Sequence, residues 1–330
     1  MHNPKHVRAC VWLIVATALW GVSFPFIKST WLLQNQLAPE ISSVFFAAAL
    51  AVVRFAIAGV LIAAVSARTL RRLTRLELQQ GIGLGVFGGL GILVQMDGLA
   101  HTSASTSAFL TQFSCLLIPI WVSVQKRAVP RLVVIASCIM VLTGVAILAE
   151  FDWREFKMGR GEAETILSAV FFAGQILWLE RPRYAPNGVG NFTVVMFATI
   201  TLLIAPVAAF TAPSAHAVAA AYSSAAVLAL LAGIVFICTL GAYLMMNVWQ
   251  PHVTATEAGL IYCVEPVYAS FFAAFLPGWI SKLAHIDYAN ERITKNLLIG
   301  GALITVANVL IQLDAMRQRR KVALTISPSA

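Results

Sequence analysis

Thr102-Ser103-Ala104-Ser105-Thr106-Ser107-Ala108-Phe109-Leu110 and Val253-Thr254-Ala255-Thr256-Glu257-Ala258-Gly259-Leu260-Ile261 read as two versions of one stretch. Each opens a long apolar run with a hydroxyl-Ala-hydroxyl pattern, and each run is the fourth of five in its half of the chain. Five is odd, so a second copy enters a membrane in the opposite sense to the first. Inverted repeats of this kind supply two pseudo-equivalent halves that can exchange inward- and outward-facing arrangements.

Composition leads to the same class. Of the 330 residues, 59% are hydrophobic and 11% charged, with a mean hydropathy of +0.83. A soluble chain of this size needs a polar shell that so few charges cannot build. The apolar residues fall into runs of about 17–25, the length that crosses a hydrocarbon core of roughly 30 Å. Ten spans are expected: Cys10–Ile27, Val44–Ser66, Gly81–Ala100, Ser103–Val124, Leu132–Ala149, Ala163–Leu179, Phe192–Phe210, Ala226–Met246, Thr254–Leu276 and Leu297–Leu313. The fold class is therefore all-α integral membrane, ten transmembrane helices in two inverted five-helix repeats. The repeats are residues 1–150 and 151–330, with the charged Glu150–Glu162 segment as the boundary and a basic tail after Asp314. The Pro277–Asn296 connection is long enough to hold an interfacial helical turn.

The formal charge of +9 orients the chain. With the N-terminus inside, alternate inner segments carry fifteen Lys and Arg, among them Arg68, Arg71, Arg72, Arg75, Lys126, Arg127, Arg131, Arg181 and Arg183. The outer segments carry seven, among them Lys28, Lys157, Arg160 and Lys282, and Arg54 stays within a span. This is the positive-inside bias. It puts both termini in the cytoplasm and makes a bacterial inner membrane the expected location. No nucleic-acid motif interleaves aromatics with the basic residues, so the partners are the lipid bilayer and a small-molecule substrate, with protons as the candidate coupling ion. Sequence does not give the oligomeric state.

Other signals are set aside on physical grounds. The basic, apolar N-terminus is a retained first helix, since it is long and lacks a small-x-small cleavage site. Cys10, Cys115, Cys138, Cys238 and Cys263 all fall in spans without ligand spacing, so free thiols are expected and no metal site. The sequon at Asn191 abuts a span on the cytoplasmic side. Gly81, Gly85 and Gly88 share a helix face that permits close helix approach; no phosphate-binding loop or cofactor site is present.

Short motifs recur in order along the chain: Trp20-Gly21-Val22-Ser23-Phe24-Pro25 in span one, Val53-Arg54-Phe55 in span two, and Thr254-Ala255-Thr256-Glu257-Ala258 with Val264-Glu265-Pro266-Val267 in span nine. On these residues the chain resembles the EamA-type branch of the drug/metabolite transporter superfamily. Departures are a fourth span ending Gln125-Lys126-Arg127 with no acid, Cys115 at the repeat position of Pro266, and an insertion between Gly278 and Glu291. The resemblance implies efflux of a small metabolite such as an amino acid.

Site candidates are polar groups at membrane depth, where a charge is costly without a cavity or partner. Glu265 leads, because it lies mid-span beside Pro266, which removes a backbone donor and opens the helix. Arg54 sits at similar depth, so the two are expected to interact across a cavity, directly or through water. Glu257 lies about two turns nearer the cytoplasm, roughly 12 Å at 1.5 Å per residue. Ser107 and Ser114 share a face of span four with Ser103, and Thr111 is beside it; Trp20, Gln175, Tyr243, Asn247 and Tyr262 are candidate wall residues. Each has a bland alternative: helix-end bonding for Arg54, an interfacial position for Glu257, backbone bonding for the serines, packing for the aromatics. Thr305, Asn308 and Gln312 fit a helix or subunit contact. The expected activity is secondary transport and not catalysis, since no nucleophile–base or His-rich constellation occurs. The other class to weigh is a membrane sensor or assembly protein on the same helices.

Overall fold

The computed structural model describes residues 4–102, 104–148, 159–292 and 294–326, and the regular structure among them is helical. The first half comprises α1 (Pro4–Leu37), α2 (Ser43–Val65), the short α3 (Ala67–Leu70), α4 (Arg75–His101), α5 (Ala104–Thr111), α6 (Ser114–Lys126) and α7 (Leu132–Leu148). The second comprises α8 (Arg160–Leu179), α9 (Val189–Thr211), α10 (Ala215–Ala221), α11 (Ala225–Gly233), α12 (Ala242–Trp249), α13 (Ala255–Tyr262), α14 (Glu265–Ala273), α15 (Leu276–Ala284) and α16 (Lys295–Ile326). Helix starts follow side-chain chemistry. Thr74 and Thr254 each accept from the backbone three residues on, and Glu77 and Glu257 reach back to close capping boxes on α4 and α13.

Six helices among the described residues are long and apolar enough to cross a membrane: Lys5–Leu37, Ser43–Val65, Arg75–His101, Arg160–Leu179, Val189–Thr211 and Ala225–His252. The pair Ala255–Ala273 and Leu276–Ala284, bent by 50°, is a seventh if taken as one span. Leu116–Gln125, Leu132–Gly144 and Leu298–Ile311 are shorter apolar helices. The expected fourth and ninth spans are thus broken, not continuous. Both breaks share a hydrogen-bond pattern. Phe113 N–H bonds to Leu110 O and Leu116 and Leu117 N–H to Phe113 O; Val264 N–H bonds to Ile261 O and Val267 and Tyr268 N–H to Val264 O. Aligning Thr102 with Val253, as the opening stretches require, puts Phe113 opposite Val264 and Ser114 opposite Glu265. Pro266 explains the second break, since it cannot donate to Tyr262 O. The first contains no proline at the break.

Two further boundaries differ from expectation. The helix α8 already begins at Arg160, so Glu162 is its first-turn acid and not part of a connection; Glu150–Met158 lie outside the described residues. The Pro277–Asn296 connection holds more than a turn. Its α15 ends at His285 in the left-handed region (φ 54°), and the chain then returns so that Glu291 N–H bonds to Ala273 O at the end of α14.

Packing divides the helices into groups. α4 lies against α8 and α9, α2 against α9, α7 against α16, and α1 against α11, α12, α13 and α14. α5 meets α14 while α6 meets α13, so the two broken spans cross head to tail. Glycines on α4 set the registers. Gly81, Gly85 and Gly89 face Val195, Thr199 and Leu203 in parallel order, whereas Gly83, Gly88, Gly91 and Gly98 face Trp178, Gln175, Phe172 and Gly161 in antiparallel order. Gly88 therefore serves the α8 contact and does not continue the stripe of Gly81 and Gly85 as expected from sequence, because successive contacts on one straight helix drift around its axis.

A Cβ on Gly85 would lie 2.5 Å from Thr199 Cβ and 2.8 Å from Met196 O, where only backbone movement gives relief. Gly85→Val is expected to lower the apparent melting temperature in detergent by about 5 °C or more, as overpacking costs about 1–3 kcal/mol. Gly59→Ala, whose Cβ meets only Phe197 Cβ at 3.4 Å, should shift it far less. Equal shifts for the two variants would disprove the close α4–α9 approach.

Candidate functional site

A cavity of about 90 Å³ lies where α1, α2, α4, α5, α6, α8, α12, α13 and α14 converge, with room for a few waters in this conformation. Trp20, Arg54, Ser114, Gln175, Tyr243, Tyr262 and Glu265 all line it. These are residues that sequence reasoning singled out from six different spans, and the fold brings them to one place.

Each arrives for a local reason. Arg54 is in the middle of α2, 4% exposed, with Nε donating to Thr239 Oγ1 at 3.0 Å and its guanidinium carbon 4.9 Å from the Phe55 ring centroid. Thr239 lies in a π-helical segment, Ile234–Gly241, and its hydroxyl donates to Ile234 O at 2.8 Å. The wide turn accommodates that five-residue back-bond, a distortion common at functional sites. Among the described residues Nε is the only Arg54 nitrogen with a hydrogen-bond partner, so the terminal amino groups remain for a ligand.

Glu265 opens α14 immediately after the break, which turns its side chain to the cavity, where Gln112 is within hydrogen-bonding reach. Arg54 and Glu265 make no direct ion pair among the described residues. Tyr243 lies in the electrostatic reach of both. The expected pairing is therefore at most indirect in this conformation.

Aromatic rings form one wall. Trp20 meets Tyr243 and Tyr262 edge-on at 5.5 and 5.3 Å, and Tyr243 continues to Phe55 and Phe197 at 5.7 and 5.9 Å. Edge-to-face rings of this kind hold each other rigidly and present flat apolar surface with polar tips. Gln175 also lines the cavity; it is 4% exposed, and its Nε2, packed toward Gly88 of α4, has no hydrogen-bond partner. A buried amide left unsatisfied is costly.

Three candidates lie elsewhere. Ser107 is fully buried between α5 and α8, with its hydroxyl 3.4 Å from Thr165 Oγ1, so it joins helices. Asn247 is fully buried and donates to Thr193 Oγ1 at 2.9 Å. Glu257 is held by its capping box and by His6 Nε2 at 3.1 Å, and it borders a separate chamber at the Arg181 end. Glu257 and Asn247 were read without knowledge of which way their helices face, and the face Ser107 shares with Ser114 on a continuous span is interrupted by the break at Phe113. Thr305 donates to Gly301 O on its own helix. Ser103 and the side chains of Asn308, Gln312 and Cys115 lie outside the described residues. Asn191 is buried and bonded to Thr69 and Glu77, which leaves no acceptor for a glycan.

Sequence reasoning missed Gln112, Gln95, Ser23 and Thr239. Gln95 lines the cavity and donates to Thr111 Oγ1 at 3.0 Å. Gln112 and Gln95 were available by the rule that found Gln175, since each is an amide within an apolar run. Thr239 carried no signal, because a threonine in a membrane helix ordinarily bonds its own backbone.

Known proteins bear on this arrangement. Residues 7–149 match the model of a family described as the EamA-like transporter family. A protein of Archaeoglobus fulgidus named as an uncharacterized transporter is 24% identical over 312 residues, which is 94% of this chain and 87% of that protein. A solved crystal structure superposes with a TM-score of 0.66 at 18% identity, covering 95% of this chain and 99% of the other, a likeness of fold.

Proposed function

From a chain that is an EamA-type member of the drug/metabolite transporter superfamily, matched over residues 7–149, we infer that it is a secondary transporter whose substrate binds in the central cavity. The carrying observation is the cavity itself: one cation, Arg54, and one acid, Glu265, line it without neutralising each other directly. One charge of each sign on the wall suits a small zwitterion such as an amino acid. Its carboxylate would meet the free amino groups of Arg54, whose planar fork matches a carboxylate. Its ammonium would meet Glu265, with the Gln175 amide on a further oxygen and the aromatic wall against its apolar part. Glu265 is also the candidate to carry a coupling proton when no ammonium is bound. Export is the expected direction, and residues 1–150 and 151–330 are the two halves.

Two inverted five-helix repeats are supported by three observations. The same hydrogen-bond pattern occurs at both breaks, α5 meets α14 as α6 meets α13, and α7 pairs with α16. Alternating access then amounts to exchange of packing between halves around a fixed midplane site.

The test is reconstituted flux. Proteoliposomes loaded with a mixed pool of amino acids and related metabolites should release a defined subset on imposition of a pH gradient. No release of any member, from protein shown to be folded, would leave the sensor or assembly reading standing.

The same vesicles and intact cells test orientation. Arg183, exposed between α8 and α9, belongs on the cytoplasmic side by charge, and Ala212, exposed after α9, on the outer side. In a cysteine-free background, Ala212→Cys should react with an impermeant thiol reagent in intact cells and Arg183→Cys should not. The opposite pattern defeats this topology.

A further inference from the structure

Two helices, α8 and α13, line both the central cavity and the chamber at the Arg181 end, and Gln250 bonds to both. Gln250 is fully buried, accepts from Tyr262 Oη at 2.8 Å and donates through Nε2 to Ile176 O at 3.0 Å. Ile176 and Tyr262 line the cavity. Leu177 and Ala255, on the same two helices, line the chamber, which measures about 640 Å³. The Gln250 carboxamide thus ties α8 to α13, the two helices along which one space follows the other.

Its position in the fold suits a moving part. Gln250 opens the 3₁₀ turn Gln250–His252 that ends the long helix Ala225–His252, and Pro251 follows it. Its bond to Ile176 joins α1 and the helices that pack on it, α11 to α14, to the pair α4 and α8, which also meet the first set where α8 touches α13 and α4 touches α1. At the opposite end of the cavity a second side-chain-to-carbonyl bond joins the same two sets, from Lys28 Nζ on α1 to Leu99 O on α4 at 3.1 Å. Displacing one group against the other must break one of these bonds and can keep the other. Both are contacts to a helix carbonyl that water can replace, which is the kind of contact that exchanges readily.

We propose that Gln250 is a gate residue, that the chamber beside it is an antechamber for the small polar solute, and that solute passes between chamber and cavity when the Gln250–Ile176 bond opens. Lys28 closes the other end. The assignment of a passing solute rests on the transport reading above; the partition itself does not.

The experiment is therefore made on the partition. In a cysteine-free background, Ser23→Cys places a thiol on the cavity wall. Purified protein in proteoliposomes, sorted by orientation, is exposed to a small impermeant thiol reagent from the Arg181 side. Gln250→Met keeps length and bulk but loses both hydrogen bonds, and it should raise the labelling rate about tenfold over the parent. Tyr262→Phe removes one hydroxyl and should give a smaller rise; it also covers the case in which Gln250→Met does not fold. Labelling from the Lys28 side should stay as in the parent. Unchanged labelling from the Arg181 side, or equal acceleration from both sides, would overturn the gate. Flux is measured in the same vesicles, so a protein that carries nothing would end the transport reading while the labelling result stands independently.

Discussion

Glu265→Gln should insert and fold as the parent does, yet lose transport driven by a pH gradient. Glutamine keeps the shape and hydrogen-bonding capacity of the side chain, including its contact with Gln112, but cannot titrate or carry charge. Hydrogen bonds to charged groups are worth about 1.5–3 kcal/mol, so loss of the ammonium contact should lower flux about 10- to 100-fold. Two roles give separable outcomes. If the acid carries only the coupling proton, substrate exchange without a gradient survives in the mutant. If it also binds the ammonium, exchange falls with driven flux and binding weakens. The measurement is reconstituted flux at several pH values with matched incorporation of the two proteins. Wild-type rates with unchanged pH dependence would return Glu265 to a structural role.

Replacement of Arg54 should have an effect of similar size by a different route. Arg54→Met retains much of the apolar stem but removes the guanidinium over the Phe55 ring, the carboxylate-binding amino groups and the Thr239 bond. About a tenfold or greater loss of affinity is expected, on the same scale for charge-assisted bonds. Arg54→Lys should rescue poorly, because an ammonium lacks the planar fork.

The pairing of Arg54 with Glu265 can now be framed more narrowly. With no direct ion pair between them among the described residues, a bound zwitterion is what would connect them. A double-mutant cycle on Arg54→Met and Glu265→Gln should be non-additive in substrate affinity but close to additive in thermal stability without substrate. Non-additive stability with additive affinity would mean that the two residues support each other structurally and do not share a ligand.

Much of the site was legible because membrane depth is legible. A charge or amide inside an apolar run is costly, so Arg54, Gln175 and Glu265 announced themselves in one dimension. Glu257 and Asn247 announced themselves by the same reasoning, and Ser107 by its face shared with Ser114, and all three are partnered elsewhere. Depth fixes position along a helix, whereas cavity lining depends on which way the helix is rotated and on what faces it. Gln112 and Gln95 were legible in principle, and Thr239 was not.

The apolar run lengths and the charge imbalance by themselves determined a helical membrane protein, since backbone groups in hydrocarbon must be satisfied within the segment. The Pro266 donor gap marked where the ninth run, expected as one span, could open beside Glu265. Only the tertiary structure decided that the fourth run breaks at the matching place without a proline, and that α4 turns one set of glycines to α9 and another to α8. It alone brought Gln250 into bonds with Ile176 and Tyr262 at the cavity wall. The physical reason is that composition and spacing act through local chain chemistry and solvent, while rotation, break position and partition are set by side chains that meet only once distant helices have packed.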